Sequence, residues 1–454
     1  MLRKFLSFAF IGMTSLIGYS QSINDDILNA INNSDWFGLD SIYKSVPKDS
    51  IHPYLEISSR CFLGHQLNRM DVSIPAFQEL FNTQSDYLDL NDFITYAITY
   101  GKDLSRAGQN EFAATMMNQL MDETRQYLDS ASVSNLAFMA NWYSALAAYN
   151  PYQIQFKGDS IERVPFDIVP MGPKEKGGVM MQLRESTLNG MPADIIFDTG
   201  CTTSIITPEM AEKYGLIPME GTKISVAGVG NSDGYLAIAK ELQFGNITVK
   251  DVPFTVVSMS LSSINQEAAQ YTDAIKVILG NDLMFKLKEI TIDFNTNDLI
   301  IPAKETLIPV RTDAKPNMCL SREVNLLTQC EIHNYPLLML VDSGDTSYGT
   351  ISEEFFEHNK QYVLDNGIKD TVKQAGIGGV RFNERYIIPN MKVSLGGHTA
   401  EIPKIDVRID KEEGFDSEYD GVLGVRTLML FSYVRFNFVD FVLTTGTPRN
   451  SDGK

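Results

Sequence analysis

Ile196–Phe197–Asp198–Thr199–Gly200 is answered further along the chain by Leu340–Val341–Asp342–Ser343–Gly344. In each stretch two apolar residues suited to a buried strand lead into an aspartate, then a hydroxyl residue, then glycine. The apolar pair anchors a loop on the core, so the aspartate sits where a strand ends. Gly200 and Gly344 lack a Cβ, which lets the backbone turn sharply and its N–H groups approach a carboxylate.

The echo extends outward from both aspartates. Val277–Ile278–Leu279–Gly280 is matched by Gly421–Val422–Leu423–Gly424, and the spacing from Asp to the last Gly is 82 residues in both cases. A short helical run follows each, at 283–288 and 427–431, and then a strand, Ile290–Thr291–Ile292–Asp293–Phe294 or Val434–Arg435–Phe436–Asn437–Phe438. Hairpins repeat too. Gly245–Asn246 separates alternating runs at 241–244 and 247–249, and Gly396–Gly397 does so within 392–402, since glycine takes the positive φ such a turn requires. Beyond the first aspartate, Thr207–Pro208–Glu209 opens a helix that Gly215 closes, and Ser352–Glu353–Glu354 repeats the start. One unit has been used twice.

The N-terminal third has a different texture. Residues 54–67, 111–128 and 135–148 carry helical periodicity, with Phe112, Met116 and Leu120 recurring at i+4, and Asn91 and Asn110 are expected N-caps. Several short helices in series suggest paired packing, though no tetratricopeptide signature appears. An all-α accessory region is expected, and it is a candidate platform for a protein partner. Ahead of it, Arg3 and Lys4 precede an apolar run at 5–19 and small residues Gly18 and Ser20. That order reads as an export signal cleaved after Ser20, placing the mature protein in a periplasmic or extracellular compartment. No later stretch is apolar enough for an integral membrane span.

The 454 residues exceed one ordinary core, and composition is that of a globular protein, 44% hydrophobic and 21% charged. A net charge of −19 argues against a nucleic-acid groove, which needs clustered Lys and Arg. Four cysteines in this length make no disulfide framework, although Cys319 and Cys330 are candidates to pair across adjacent strands. Five scattered histidines give no metal-ligand spacing, so neither a metal nor another cofactor is expected.

The two Asp-[Thr/Ser]-Gly motifs, each with its apolar-apolar-Gly partner, make residues 155–445 resemble the aspartic peptidases, in particular the retropepsin-like group. The resemblance implies an all-β bilobal acid-protease fold, two tandem retropepsin-like β-barrel lobes, behind the N-terminal all-α region. The expected divisions are 1–20 signal, 21–150 helical accessory domain, 155–305 first lobe, 306–446 second lobe and 447–454 flexible tail. It implies an endopeptidase acting on protein or peptide substrates, with Asp198 and Asp342 as catalytic carboxylates. Two carboxylates close together share a proton and so supply a base and an acid at once. Thr199 and Ser343 would tie the loops together beneath them, supported by Gly200 and Gly344. Gln374–Ala375–Gly376–Ile377–Gly378–Gly379–Val380 resembles a flap closing over substrate, and Val226–Ala227–Gly228–Val229–Gly230 holds the equivalent place, making Gly228, Gly230, Gly376, Gly378 and Gly379 candidate substrate-binding positions. With both motifs in one chain, the catalytic unit is expected to be monomeric.

The sequence departs from that family after each glycine, with Cys201 in one loop and Asp345 in the other where a small Ala or Ser is usual. Cys201 reads as a small buried residue or a reactive thiol. Asp345 either faces solvent, alters the acidity of the pair, or favours basic substrate side chains. The rival to an enzyme is a catalytically silent extracytoplasmic peptide-binding or scaffold protein with the same fold.

Overall fold

The computed structural model describes residues 21–158, 161–171, 178–227, 229–261, 265–266, 269, 272–303, 315–409, 411 and 418–449. The expected export segment, Gly228, residues 304–314 between the repeated halves, and 450–454 lie outside the described residues. The chain divides between Asn150 and Pro151 into two compact units.

The first unit contains, among the described residues, seven α-helices: α1 Gln21–Asn32, α2 Trp36–Ser45, α3 Pro53–Gln66, α4 Met70–Thr83, α5 Leu90–Arg106, α6 Asn110–Thr124 and α7 Ser130–Ala147. Neighbours in sequence pack together, α3 with α4 and α6 with α7. Their apolar faces meet in a core that includes Cys61, Phe77, Tyr96, Tyr100, Met117 and Leu136. The caps differ from expectation. Asp89, not Asn91, caps α5 by accepting the Asp92 N–H, and Asn110 lies inside α6, where its Oδ1 accepts the Ser105 hydroxyl. The buried face of α6 is Ala113, Ala114, Met117 and Leu120, while Phe112 is 47% exposed.

A polar knot crosses that core. Asp103 accepts from Ser73 Oγ at 2.5 Å and Arg106 Nη1 at 2.9 Å, and lies 2.8 Å from His65 Nδ1. It joins α3, α4 and α5. Ser73 points at the aspartate rather than the imidazole, and His65 Nε2 is buried without a hydrogen-bond partner, so the trio has no nucleophile–base pair. Burial pushes the Asp103 carboxyl up, but His65, Arg106 and Ser73 outweigh it and hold it below the usual range.

The second unit is β-rich. One sheet runs from Val442–Thr445 through Tyr433–Asn437, Glu289–Asp293, Asp298–Pro302, Ile161–Met171 and Gly178–Leu183 into the first Asp loop, and a second holds the strands of the later half. The duplicated motifs carry duplicated pairings. Ile195–Phe197 runs parallel to Val277–Leu279, which is antiparallel to Ile205–Ile206, which is parallel to Ile247–Val257. Tyr335–Asp342, Gly421–Gly424, Gly349–Ile351 and His398–Arg408 repeat that series. The halves are zipped together where Glu289–Asp293 pairs antiparallel with Tyr433–Asn437.

Both hairpin turns fall as read, with Phe244 facing Ile247 around Gly245 (φ +55°) and Leu395 facing His398 around Gly396 and Gly397. The helical runs start earlier than expected, at Asn281–Met284 and Val425–Leu428, directly after the motif glycines. All four cysteines are free; register sets Cys319 opposite Leu327 and Cys330 opposite Leu337. The expected tail is tied down at its start, since Ser432 N–H donates to Thr447 O and Arg449 N–H to Leu430 O. Among the described residues no helix is long and apolar enough to cross a membrane.

Replacing Asp103 with Ala leaves Arg106, His65 and Ser73 without their shared acceptor and is expected to cost about 3–5 kcal/mol, the range for breaking a buried pair. Calorimetry of the full chain checks it. Because the folded carboxyl titrates low, the loss is complete above the unfolded value of about 4 and shrinks as pH falls below it.

Candidate active site

Each aspartate is delivered by the end of a buried strand. Ile195–Phe197 is wholly buried, and the Asp198 N–H donates to Leu279 O at 3.1 Å, fastening the loop to its parallel neighbour. In the other half Asp342 ends Tyr335–Asp342, opposite Gly424. The apolar-apolar-Gly motif is therefore the strand on which each aspartate loop rests.

The loops hold one another by reciprocal hydrogen bonds. Thr199 N–H donates to Ser343 Oγ at 3.0 Å, and Ser343 N–H donates to Thr199 Oγ1 at 3.0 Å. Each hydroxyl also donates across the divide, Thr199 to Val341 O and Ser343 to Phe197 O, both at 2.9 Å. Both residues are buried, 2% and 0% exposed, so these bonds have no water to compete with them. Glycine is required beside them. A Cβ on Gly200 would strike the Asp342 carboxyl, and one on Gly344 would strike that of Asp198.

The carboxylates thus lie against each other's loops and hydrogen-bond to one another. Asp198 Oδ1 accepts the Gly200 N–H at 2.8 Å; Asp342 Oδ1 accepts those of Gly344 at 2.8 Å and Asp345 at 2.9 Å. Each residue keeps some exposed surface, yet desolvation raises both. Asp198 is then held back by N–H donors from Gly200, Gly344 and Cys201 and by its bond to Asp342. Asp342 is pushed further up by the charges of Asp198 and Asp345, well above the ordinary carboxylate range.

Several supporting residues escaped the sequence reading. Asn281 Nδ2 donates to Thr199 O, and the half-buried Asp282 accepts Tyr152 Oη at 2.7 Å, Ser204 N–H and Oγ at 2.9 Å, and Leu283 N–H at 2.9 Å. The only signal was their place directly after Gly280, and the second half has Val425 and Arg426 there instead. Asp345 does not simply face solvent. Its carboxylate accepts the Ser347 N–H at 2.9 Å, and burial raises it against that bond and the Arg385 charge. Arg385, 3% exposed, donates to Thr350 Oγ1 at 3.0 Å and lies 3.9 Å from Asp406, which burial raises to about 6. Cys201 Sγ donates to Thr203 O, and burial with the Asp198 charge keeps it a thiol.

The glycine-rich hairpins meet at their tips. Gly230 N–H donates to Ile377 O at 2.9 Å, and Gly378 (φ +74°) lies so close to Asn231 that a Cβ would reach within 2.5 Å of its nitrogen. Gly376 faces Val229, and Gly379 pairs with Gly376 across the turn. Ile377 and Val226 pack on a cluster of Met171, Met180, Ile196, Ile205, Val257, Met259 and Ile278, which Cys201 also touches. The tips and the Asp198 loop therefore share one apolar surface. Gly230–Asn231–Ser232–Asp233–Gly234 matches the serine-hydrolase pattern, but Ser232 lies in the strand Asn231–Phe244, opposite Val226, and not at a strand-to-helix elbow.

Residues 185–283 match the family described as aspartyl protease, a stretch holding Asp198 and Ile278–Leu279–Gly280. Among solved structures, a retropepsin-like aspartic protease from Rickettsia conorii is similar, at 16% identity over 33% of this chain and 93% of that one, with a TM-score of 0.19. No curated protein matches the chain.

Thr199→Val removes a hydroxyl that both donates and accepts, leaving Val341 O and Ser343 N–H buried and unpaired. A loss of about 2–4 kcal/mol in denaturant unfolding is expected. Gly378→Val forces a β-branched residue to positive φ against Asn231. It should change the exchange rates of the amides at 230 and 376–379 far more than the global melting temperature, as hydrogen exchange will show.

Proposed function

We propose that this chain is an aspartic-type endopeptidase in which Asp198 and Asp342 form the catalytic dyad of a single-chain site. The observation that carries the proposal is the reciprocal Thr199–Ser343 grip, which sets two raised carboxylates against one another. A pair sharing one proton contains a base and an acid at once, and the aspartic-protease pair is the best-known instance of that chemistry. Water adds to the scissile carbonyl carbon, giving its proton to the ionised carboxylate while the protonated one gives its own to the carbonyl oxygen. The C–N bond then breaks as the first carboxyl protonates the amine, and a hydroxyl of the diol returns a proton to the second. The dyad ends as it began.

The matched family region, the duplicated strand pairings and the inter-half zipper support reading residues 155–305 and 306–446 as tandem lobes. The flaps are Val226 to Gly230 with Gly228 included, and Gln374 to Val380. Extended peptide binding beneath them is backbone pairing, which suits glycine-rich tips. The basic-then-apolar N-terminus supports export, and exposed Tyr87, Leu90, Phe112 and Tyr127 are where a protein partner would meet the helical unit. A silent binding protein has no need of a paired carboxylate held at such electrostatic cost.

Asp198→Asn and Asp342→Asn should each lower turnover of a peptide library at least about 1000-fold, each removing half of the acid–base pair, with far-UV dichroism unchanged. Inhibitor-sensitive cleavage persisting in both purified variants would sink the assignment. Specific activity of the wild type should stay constant on dilution, because linkage within one chain replaces bulk concentration; a decline tracking dissociation by light scattering would show a two-chain site.

A further inference from the structure

We propose that Asp345 is a positioning residue for the dyad proton: it assigns that proton to Asp342 and leaves Asp198 as the base that receives the proton of the attacking water. The inference rests on the peptidase reading and adds direction to it. Its ground is an asymmetry between loops that are otherwise copies. Both aspartates end a buried strand, both accept the N–H of the glycine two residues on, and both sit against the opposite glycine. The next residue breaks the copy. In the first loop it is Cys201, a neutral thiol turned back onto Thr203 O. In the second it is Asp345, whose N–H donates to Asp342 Oδ1 while its own carboxylate is turned onto the Ser347 N–H.

Asp345 is held there by surroundings that do not cancel its charge. The cation facing it is Arg385, from the strand Gly379–Leu395, which also faces Asp406 of the strand His398–Arg408 at 3.9 Å and bonds Thr350. Asp406 in turn faces Lys404 and Asp370. Arg385 is thus shared by Asp345 and Asp406, and one guanidinium cannot neutralise both when both are ionised. On the Asp198 side the residue at the matching place is the neutral Cys201, and what acts on Asp198 besides burial and Asp342 is the N–H groups of Gly200, Gly344 and Cys201. A like charge opposes ionisation of its neighbour, so the proton is held on Asp342 to higher pH than the dyad alone would hold it.

The sign follows. In its ionised form Asp345 opposes loss of the pair's proton, so removing that charge lets the proton leave at lower pH. Asp345→Asn, whose Oδ1 still accepts the Ser347 N–H, should shift the alkaline limb of the kcat/KM–pH profile downward by roughly one unit, with the acid limb in place. Asp345→Glu should restore the limb, which a merely structural role would not predict. If Asp345→Asn does not fold, Asp345→Ser serves in its place. In parallel, carbon NMR of aspartate-labelled wild type and variant reads the carboxyl titrations of the pair without any turnover. Downward movement of the pair's upper titration supports the inference. An upper titration unchanged within error overturns it, whatever proteolysis does, and where limb and titration disagree the titration decides. Absence of dyad-dependent cleavage by the wild type would overturn the peptidase reading, leaving the titration to judge the inference alone.

Discussion

Everything distinctive in the β unit depends on the exchange of hydrogen bonds between Thr199 and Ser343. Each side chain caps a backbone group of the other loop and donates to a carbonyl one strand further in. The four bonds are buried, and losing any one strands a polar group where water cannot replace it. That asymmetry gives the arrangement its rigidity, since the loops are far more costly to separate than the modest net gain of four bonds suggests. The antiparallel zipper of Glu289–Asp293 with Tyr433–Asn437 supplies the long-range half of the same constraint. Strands bring the halves together, and hydroxyls set the aspartates.

The grip is needed because what it holds is unfavourable. Two carboxylates largely withdrawn from water and facing each other resist ionisation, which opposes folding near neutral pH. N–H groups of Gly200, Gly344, Cys201 and Asp345 offset part of that cost. Glycine at 200 and 344 is the steric condition for it, since any side chain would occupy the space of the opposing carboxyl. The helical unit shows the opposite solution for a buried carboxylate. Asp103 is given a histidine, an arginine and a hydroxyl, falls below its ordinary range, and serves stability. Asp342 is given another aspartate and a third beside it, and rises. Asp103 is thus a desolvated carboxylate neutralised by its partners, while Asp198 and Asp342 are desolvated carboxylates set against one another.

The duplication was legible because it is written in local patterns: strand, carboxylate, hydroxyl and glycine at equal spacing, with turn glycines in register. Strand pairings then followed from the motif, and the hairpin at Gly245 followed from turn chemistry. Errors arose where tertiary contact outranked local preference. Asn110 looks like a cap but is consumed by Ser105, and the α6 face rotated toward Ala113 and Met117 because small residues let α7 approach. Asn281 and Asp282 carry no motif of their own; their partners Thr199, Ser204 and Tyr152 are distant in sequence and come near only through the fold. Arg385 and Asp406 were invisible for the same reason.

A duplicated unit raises a question that its symmetry cannot answer. Hydrolysis needs one carboxylate ionised and one protonated, and two identical loops offer no reason to choose. A pair of identical chains must break the tie through substrate or chance. A tandem chain holds the choice in its sequence, since each copy mutates separately once joined. Here the backbone hydrogen bonds of the two loops have stayed alike while their neighbours diverged, Cys201 against Asp345 and Asn281–Asp282 against Val425–Arg426. The groups that position the carboxylates are the ones held in common, and the residues beside them, some charged in one half and neutral or opposite in the other, are the ones that differ. Geometry has been kept symmetric and electrostatics made unequal, which is the combination that would let two copies of one loop do two different jobs.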